Sequence, residues 1–302
     1  MEKRRGLLYG FAAYGLWGVF PLYFPLLKPA GTGEILAQRI IWTLATVGLL
    51  LTIRRRWSWL PTMTRRQLGL LTVAAVVIAV NWSLYIYAVN SGQTIEAALG
   101  YFINPLVTVM LGVIILRERL RRWQWVALGI GGLSVLVLTA DYGRPPWISL
   151  ILACSFGTYG LMKKSAAMPS AESLTIEAAV LFVPAVSLAL WLQGDGTAAF
   201  GHQGAVNVVL MLTLGLVTAV PLMLFNGAAQ RLPLSTIGLL QYTAPVLQFS
   251  VGLFVQHEVM PPSRWAGFTL VWLALAILTW DALRTARTTR TLRLSAEARQ
   301  PA

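Results

Sequence analysis

Gly100-Tyr101-Phe102-Ile103-Asn104-Pro105 lies in the middle of an apolar run, and 140 residues later the chain returns to nearly the same text, Leu240-Gln241-Tyr242-Thr243-Ala244-Pro245. Residues 71–141 laid without a gap over 211–281 put Val77, Ala79, Leu84, Leu99, Pro105, Gly112, Glu118, Trp125, Leu138 and Asp141, among others, on identical residues at +140. A period that long, held in register across several apolar segments, indicates a duplicated unit. A proline inside a helix removes one backbone donor and displaces the carbonyl four residues earlier. Pro105 and Pro245 therefore predict kinks that free the carbonyls of Tyr101 and Gln241.

The composition sets the medium. Of 302 residues 57% are hydrophobic and 12% charged, and the mean hydropathy is +0.67, whereas a soluble domain carries about 25% charged residues. This is the composition of a membrane protein. The formal charge of +13 does not point to nucleic acid, because the basic residues lie between apolar runs and at the ends, with no basic face and no nucleic-acid-binding signature. The single cysteine, Cys154, excludes an intrachain disulfide and is expected to be a small buried hydrophobe. His202 and His257 fall in separate loops without ligand spacing, so no metal site is expected, and no cofactor motif is present. Nothing in the sequence sets an oligomeric state.

About 20 apolar residues span the hydrocarbon of a bilayer, and runs of that kind give ten spans, near 6–27, 34–53, 68–90, 95–116, 123–140, 146–163, 173–193, 205–229, 234–256 and 264–283. The first follows Met1-Glu2-Lys3-Arg4-Arg5 but is too long for a signal-peptide core and lacks a small-residue cleavage site, so it reads as an uncleaved span. With only short loops left over, the fold class is an all-α membrane protein. Lys and Arg then orient it. With a cytoplasmic N-terminus, 20 of the 24 basic residues fall on the cytoplasmic side, Lys28, Arg144 and Arg264 on the other, and Arg39 inside a span. Both termini are thus expected in the cytoplasm, with residues 286–302 an irregular cytoplasmic tail.

A repeat of five spans is odd, so its second copy must cross the bilayer in the opposite sense. The expected organisation is a first half at 1–145 and an inverted second half at 146–285. Inverted repeats with interrupted helices are the plan of secondary transporters, whose substrate site lies near the midplane where the halves meet. A membrane enzyme would need titratable groups clustered at one face, and no nucleophile, paired-carboxylate or phosphate-loop motif occurs. A receptor-like or structural membrane subunit is the alternative reading, and it would not need the inversion.

The runs Tyr14-Gly15-Leu16-Trp17-Gly18-Val19-Phe20-Pro21-Leu22-Tyr23, Gly100 through Leu106, Gly238 through Pro245, and Ala219-Val220-Pro221-Leu222 with Phe225 resemble the RarD proteins of the EamA group in the drug/metabolite transporter superfamily. The resemblance covers nearly all of 6–283. It implies a ten-helix inner-membrane carrier, and the family's customary label of chloramphenicol sensitivity implies a small-molecule substrate without naming it.

Helical faces supply candidate path residues. Span 4 stacks Gly100, Asn104 and Thr108, with Tyr101 adjacent, and span 9 puts Gln241 and Gln248 on one face. Asn81 and Tyr85 come from span 3, Asn226 from span 8, Tyr14 and Trp17 from span 1, Ser155 and Tyr159 from span 6. Amides and phenols among aliphatics are unfavourable in lipid unless they meet a partner or water. Each could serve as an interhelical hydrogen bond, but their concentration in six spans favours a cavity for an amphipathic small solute. Three charges are candidates for gating or coupling. Arg39 and Glu177 lie about 6–8 Å inside corresponding spans of the two halves, at 1.5 Å per residue. They enter from opposite faces, so a direct salt bridge between them is not expected. Glu177 is the better carrier of a coupling proton, because a carboxylate in an apolar span is the group most ready to take one up. Glu96 stands in the first turn of span 4, where a carboxylate suits a helix N-terminus.

Overall fold

The computed structural model describes residues 2–117 and 120–297, all of its regular structure helical. The elements are α1 (Glu2–Gly18), α2 (Phe20–Tyr23) running into a 3-10 turn at Phe24–Leu27, α3 (Thr32–Ile53), α4 (Arg65–Asn90), α5 (Thr94–Leu116), α6 (Arg122–Tyr142), α7 (Trp147–Ala166), α8 (Ser170–Gly194), α9 (Gly204–Ala229), α10 (Leu234–Leu240), α11 (Thr243–Ser250) continuing as a π-helical turn at Val251–Val255, and α12 (Pro262–Glu297). Local chemistry explains the boundaries. Thr64 starts α4 with a capping box, its hydroxyl accepting from the Gln67 N–H and the Gln67 side chain accepting from the Thr64 N–H at 3.0 Å. Pro21 and Pro25 follow the break after Gly18, where the chain bends by 41°.

A helix occupies each of the ten expected positions, and eight of them are long and apolar enough to cross a membrane, or nine if the bent α1–α2 pair is one span. The helix that fails that measure is α7, which carries Lys163, Lys164, Ser149, Ser155 and Thr158. It packs between α4 and α5, where polar residues find partners. Around the outside Val206, Ile53, Phe254 and Val183 are exposed, an apolar surface that suits acyl chains. Two expectations are corrected. Cys154 is exposed on α7 rather than buried, which a thiol tolerates because it behaves as a small hydrophobe. The tail is helical as far as Glu297, since no glycine or proline interrupts the run from Phe268 to Glu297. Residues 298–302, and Glu118 of the Glu118/Glu258 repeat pair, lie outside the described residues.

The +140 register recurs in the element bounds. Adding 140 to α4, α5 and α6 gives 205–230, 234–256 and 262–282, against 204–229 for α9, 234–255 for α10 through the π-helical turn, and a start at 262 for α12. Packing repeats too: α4 lies on α7 as α9 lies on α1, α5 on α7 as α11 on α1, and α4 on α8 as α9 on α3. The remaining large contacts join equivalents, α3 with α8, α6 with α12 and α5 with α11. These three pairs are antiparallel. Asp141 at the end of α6 meets Arg264 at the start of α12, while Arg121 at the start of α6 meets Asp281 far along α12, each at 3.0 Å. Gly33 sits against Leu188, and Val47 packs with Leu174. Thr94, at the start of α5, faces Gln256 and Glu258 beyond the end of α11.

Close approach needs glycine at two crossings. A Cβ on Gly215 of α9 would lie 2.1 Å from the Trp42 carbonyl oxygen of α3, and one on Gly100 of α5 would lie 2.8 Å from the Ser149 carbonyl oxygen of α7. The two prolines act differently. Pro105 leaves α5 continuous, where Gly100 holds it tightly to α7. At Pro245 the helix is interrupted at Gln241-Tyr242 between α10 and α11, beside Gly238, which has open space where a Cβ would go.

Candidate functional site

Arg39 projects from the second turn of α3 and is 4% exposed. Its Nε–H donates to Thr218 Oγ1 on α9 at 3.0 Å. The guanidinium lies 3.9 Å from the centroid of the Trp82 ring, with Phe20 and Phe24 at 5.8 and 5.9 Å, an aromatic cradle that stabilises a cation through ring quadrupoles.

From that cradle a line of rings runs along α4, α5 and α7. Successive centroids are 6.0 Å apart for Phe24–Tyr85, 5.6 Å for Tyr85–Tyr101, 5.8 Å for Tyr101–Phe156 and 6.1 Å for Phe156–Tyr159. Asn81 fastens its middle. The Asn81 Nδ2 donates to the Leu152 carbonyl at 3.1 Å and to Ser155 Oγ at 2.9 Å, and its Oδ1 accepts from the Tyr101 hydroxyl at 3.2 Å. One amide therefore joins three helices. The Tyr85 hydroxyl, by contrast, is buried without a partner among the described residues.

The line ends at Glu177 on α8. Tyr159 donates to Glu177 Oε2 at 3.0 Å, and Lys163 Nζ lies 2.6 Å from Oε1 and also donates to Ser173 Oγ. Tyr159 and Lys163 are one turn apart on α7, so both reach one carboxylate. Arg39 and Glu177 do not meet, and each is held by its own neighbours.

The other candidates fall in two further places. Asn104 and Gln241 line one cavity of about 480 Å³ with Pro105, Thr108, Tyr242 and Thr279, and Asn104 Oδ1 accepts from Thr108 Oγ1 at 2.9 Å. Tyr14, Trp17 and Phe225 form a second aromatic group, with centroids 5.4 to 6.1 Å apart, where Gln248 Nε2 donates to the Trp17 carbonyl at 3.1 Å. Phe225 is the repeat equivalent of Tyr85. Asn226 Oδ1 accepts from Ser170 Oγ at 3.0 Å. Trp17 packs on both aromatic groups and so connects Gln248 to the Tyr85 line, whereas Asn104 and Gln241 stand apart from it.

Glu96 accepts from Arg144 at 3.1 Å and from the Ile148 N–H at 3.3 Å, and ties the start of α5 to the start of α7. It belongs to a polar belt that joins the halves at one end of the bundle. Glu34 accepts from the Ala199 and Phe200 N–H groups at 2.8 Å, and Glu258 accepts from those of Thr94 at 2.6 Å and Ile95 at 3.0 Å. Asn207 Nδ2 donates to the Leu27 carbonyl and Gln256 Nε2 to that of Pro21. Burial pushes the Glu258 carboxyl up from its ordinary value, against the pull of the two N–H groups. Sequence reading missed Lys163, Thr218, Trp82, Phe24 and Glu34. Only Lys163 carried a signal, its four-residue spacing from Tyr159.

A family model described as the EamA-like transporter family matches residues 4–140. The chain is 59% identical to "Protein RarD" of Streptomyces exfoliatus, over 96% of this chain and 92% of the relative. It is 40% identical to "Protein RarD" of Escherichia coli (strain K12), over 95% and 98%, and 39% identical to "Uncharacterized transporter YojE" of Bacillus subtilis (strain 168), over 96% and 98%. A solved crystal structure 19% identical to the chain superimposes with a TM-score of 0.58 over 93% of this chain and 98% of its own, a likeness of fold alone.

Proposed function

The chain belongs to the RarD family of EamA-like transporters, and from that membership we propose a secondary carrier that exports a small amphipathic metabolite or drug across the bacterial inner membrane by alternating access. It is a multi-pass membrane transporter. In the proposed arrangement α1 with α2, and α7, complete ten spans, both termini are cytoplasmic, and the two halves are inverted. The observation that carries the reading is the antiparallel packing of the three equivalent pairs, α3/α8, α5/α11 and α6/α12, which is what inverted copies require.

The path runs from the Trp17 and Gln248 group along the Tyr85, Tyr101 and Tyr159 line, lined by rings and amides that suit an amphipathic solute. Asn104 and Gln241 form a cytoplasmic vestibule beside the break at Pro245. The polar belt of Glu34, Glu96, Glu258, Asn207 and Gln256 is the external gate in its closed form. Without a nucleotide-binding motif, uphill movement draws on an ion gradient or on exchange. Glu177 is the coupling carboxylate: protonation removes its charge, releases Lys163 and loosens α7 from α8.

Reconstitution in liposomes tests this. Efflux of a panel of amino acids, other metabolites and drugs is followed with and without an imposed pH gradient. At least one solute should leave faster than from protein-free vesicles and move against its own gradient when protons drive it. Rates equal to protein-free vesicles for the whole panel contradict the transporter reading.

A further inference from the structure

Arg121, Arg144, Lys163, Arg231 and Arg264 each meet a carboxylate. Arg39, more deeply buried than any of them, meets none among the described residues. The titratable groups that face it are the hydroxyls of Tyr23, Tyr85 and Tyr101. A guanidinium has five N–H groups, and for Arg39 only Nε–H has an acceptor among the described residues, Thr218 Oγ1. The Trp82 ring covers one face of the guanidinium, but it offers nothing in the plane of the Nη groups. A charge placed inside a bundle is unfavourable unless it is paired and hydrogen-bonded, and the default expectation for such a residue is a functional partner.

A second orphan belongs to the same aromatic cluster as the Phe20 and Phe24 rings of the cradle. The Tyr85 hydroxyl is buried and unpartnered, and the Tyr85 ring packs edge-on to Phe24, which itself borders the Arg39 guanidinium. A planar fork of donors and one free hydroxyl, walled by rings, match an oxyanion attached to an apolar body. The site holds a single positive charge, so it suits a monoanion and not a phosphate dianion.

We propose that Arg39 and the Tyr85 hydroxyl bind the carboxylate of the transported solute, with Trp82, Phe24 and Tyr101 against its apolar portion. The solute is therefore an organic monocarboxylate, bound bidentately by the Nη edge of Arg39. This rests on the transporter reading and narrows its substrate class.

Thermal unfolding of the full chain in detergent reads binding, because a ligand that binds only the folded form raises the midpoint by mass action. The probes are phenylacetate, 3-phenylpropanoate and hexanoate, each paired with its uncharged amide. At least one carboxylate should raise the midpoint saturably while its amide does not. R39Q should weaken that binding about 10- to 100-fold, the scale of a charge-assisted bond. R39K, which keeps the charge but loses the fork, and Y85F should fall between. The proposal is overturned if no carboxylate differs from its amide in the wild type, or if the carboxylate effect survives unchanged in R39Q. Failure of this proposal alone is separable: neutral or cationic solutes then cross wild-type and R39Q liposomes at equal rates, whereas the absence of all flux sinks the transporter reading itself.

Discussion

Glu177 Oε1 lies 2.6 Å from Lys163 Nζ, joining α8 to α7 at the end of the aromatic line, with the carboxylate almost wholly buried and the ammonium about one-fifth exposed. E177Q keeps the shape and the hydrogen bond from Tyr159 but cannot release a proton. It should abolish transport driven by a pH gradient while solute binding and downhill exchange persist. Uphill transport equal to that of the parent in a well-expressed variant would remove Glu177 from the coupling role.

The same substitution strands Lys163. Breaking a fully buried pair costs about 3–5 kcal/mol, and partial exposure of Lys163 reduces the figure. E177Q should therefore melt below the parent, and E177Q combined with K163M should recover much of the loss. A double variant that melts lower than E177Q contradicts the pairing.

Gly215 allows α9 to cross α3. With its Cβ 2.1 Å from the Trp42 carbonyl oxygen, G215A should destabilise by about 1–3 kcal/mol, the range for overpacking. Gly48 on α3 has open space around it, so G48A should be neutral or gain up to about 1 kcal/mol of helix propensity. Equal melting temperatures for the two variants would refute the α3/α9 crossing.

Asn104 and Gln241 share the proposed cytoplasmic vestibule, whereas Gln248 is buried against Trp17. In a chain with Cys154 replaced, N104C and Q241C should react from the cytoplasmic side with a membrane-impermeant thiol reagent, and Q248C more slowly. Adding E258A, which takes the other half's carboxylate from the start of α5, should open the external gate and raise labelling of Y101C from outside. Labelling of Y101C unchanged by E258A would show that Glu258 holds no gate.

Much of the fold was legible because lipid imposes a simple pattern. Each apolar run coincides with a helix, and adding 140 to α4 and α6 gives the bounds of α9 to within one residue and the start of α12, though not its extension to Glu297. Hydropathy understates α7, because Lys163 is paired with Glu177 of α8 and Ser149 and Ser155 bond to α5 and α4. Equal prolines did not give equal breaks: α5 runs continuously through Pro105, with Gly100 close against Ser149 of α7, whereas the helix at Pro245 is interrupted at Gln241-Tyr242. In the site, packing brings Asn81, Tyr85, Tyr101 and Tyr159 into one group, whereas Asn104, stacked beside Tyr101 by spacing, and Gln241, put on one face with Gln248, lie together in a separate cavity. The partner of Arg39 on α9 was not readable, because Thr218, 179 residues away, reaches it only through the packing of α9 on α3, and for Glu177 the one signal was the four-residue spacing of Lys163 from Tyr159. A face can be read from spacing, but a cradle built by three helices cannot.

The account turns on two halves that cross the membrane in opposite senses, and the position of three loops measures it directly. Paired reporters, one active only outside the inner membrane and one only inside, are fused after Ser91, Arg121 and Gly194. Inverted halves place Ser91 and Gly194 outside and Arg121 in the cytoplasm. A cytoplasmic signal at Gly194, with Ser91 external, would mean that the halves run in the same sense and would contradict the inverted carrier.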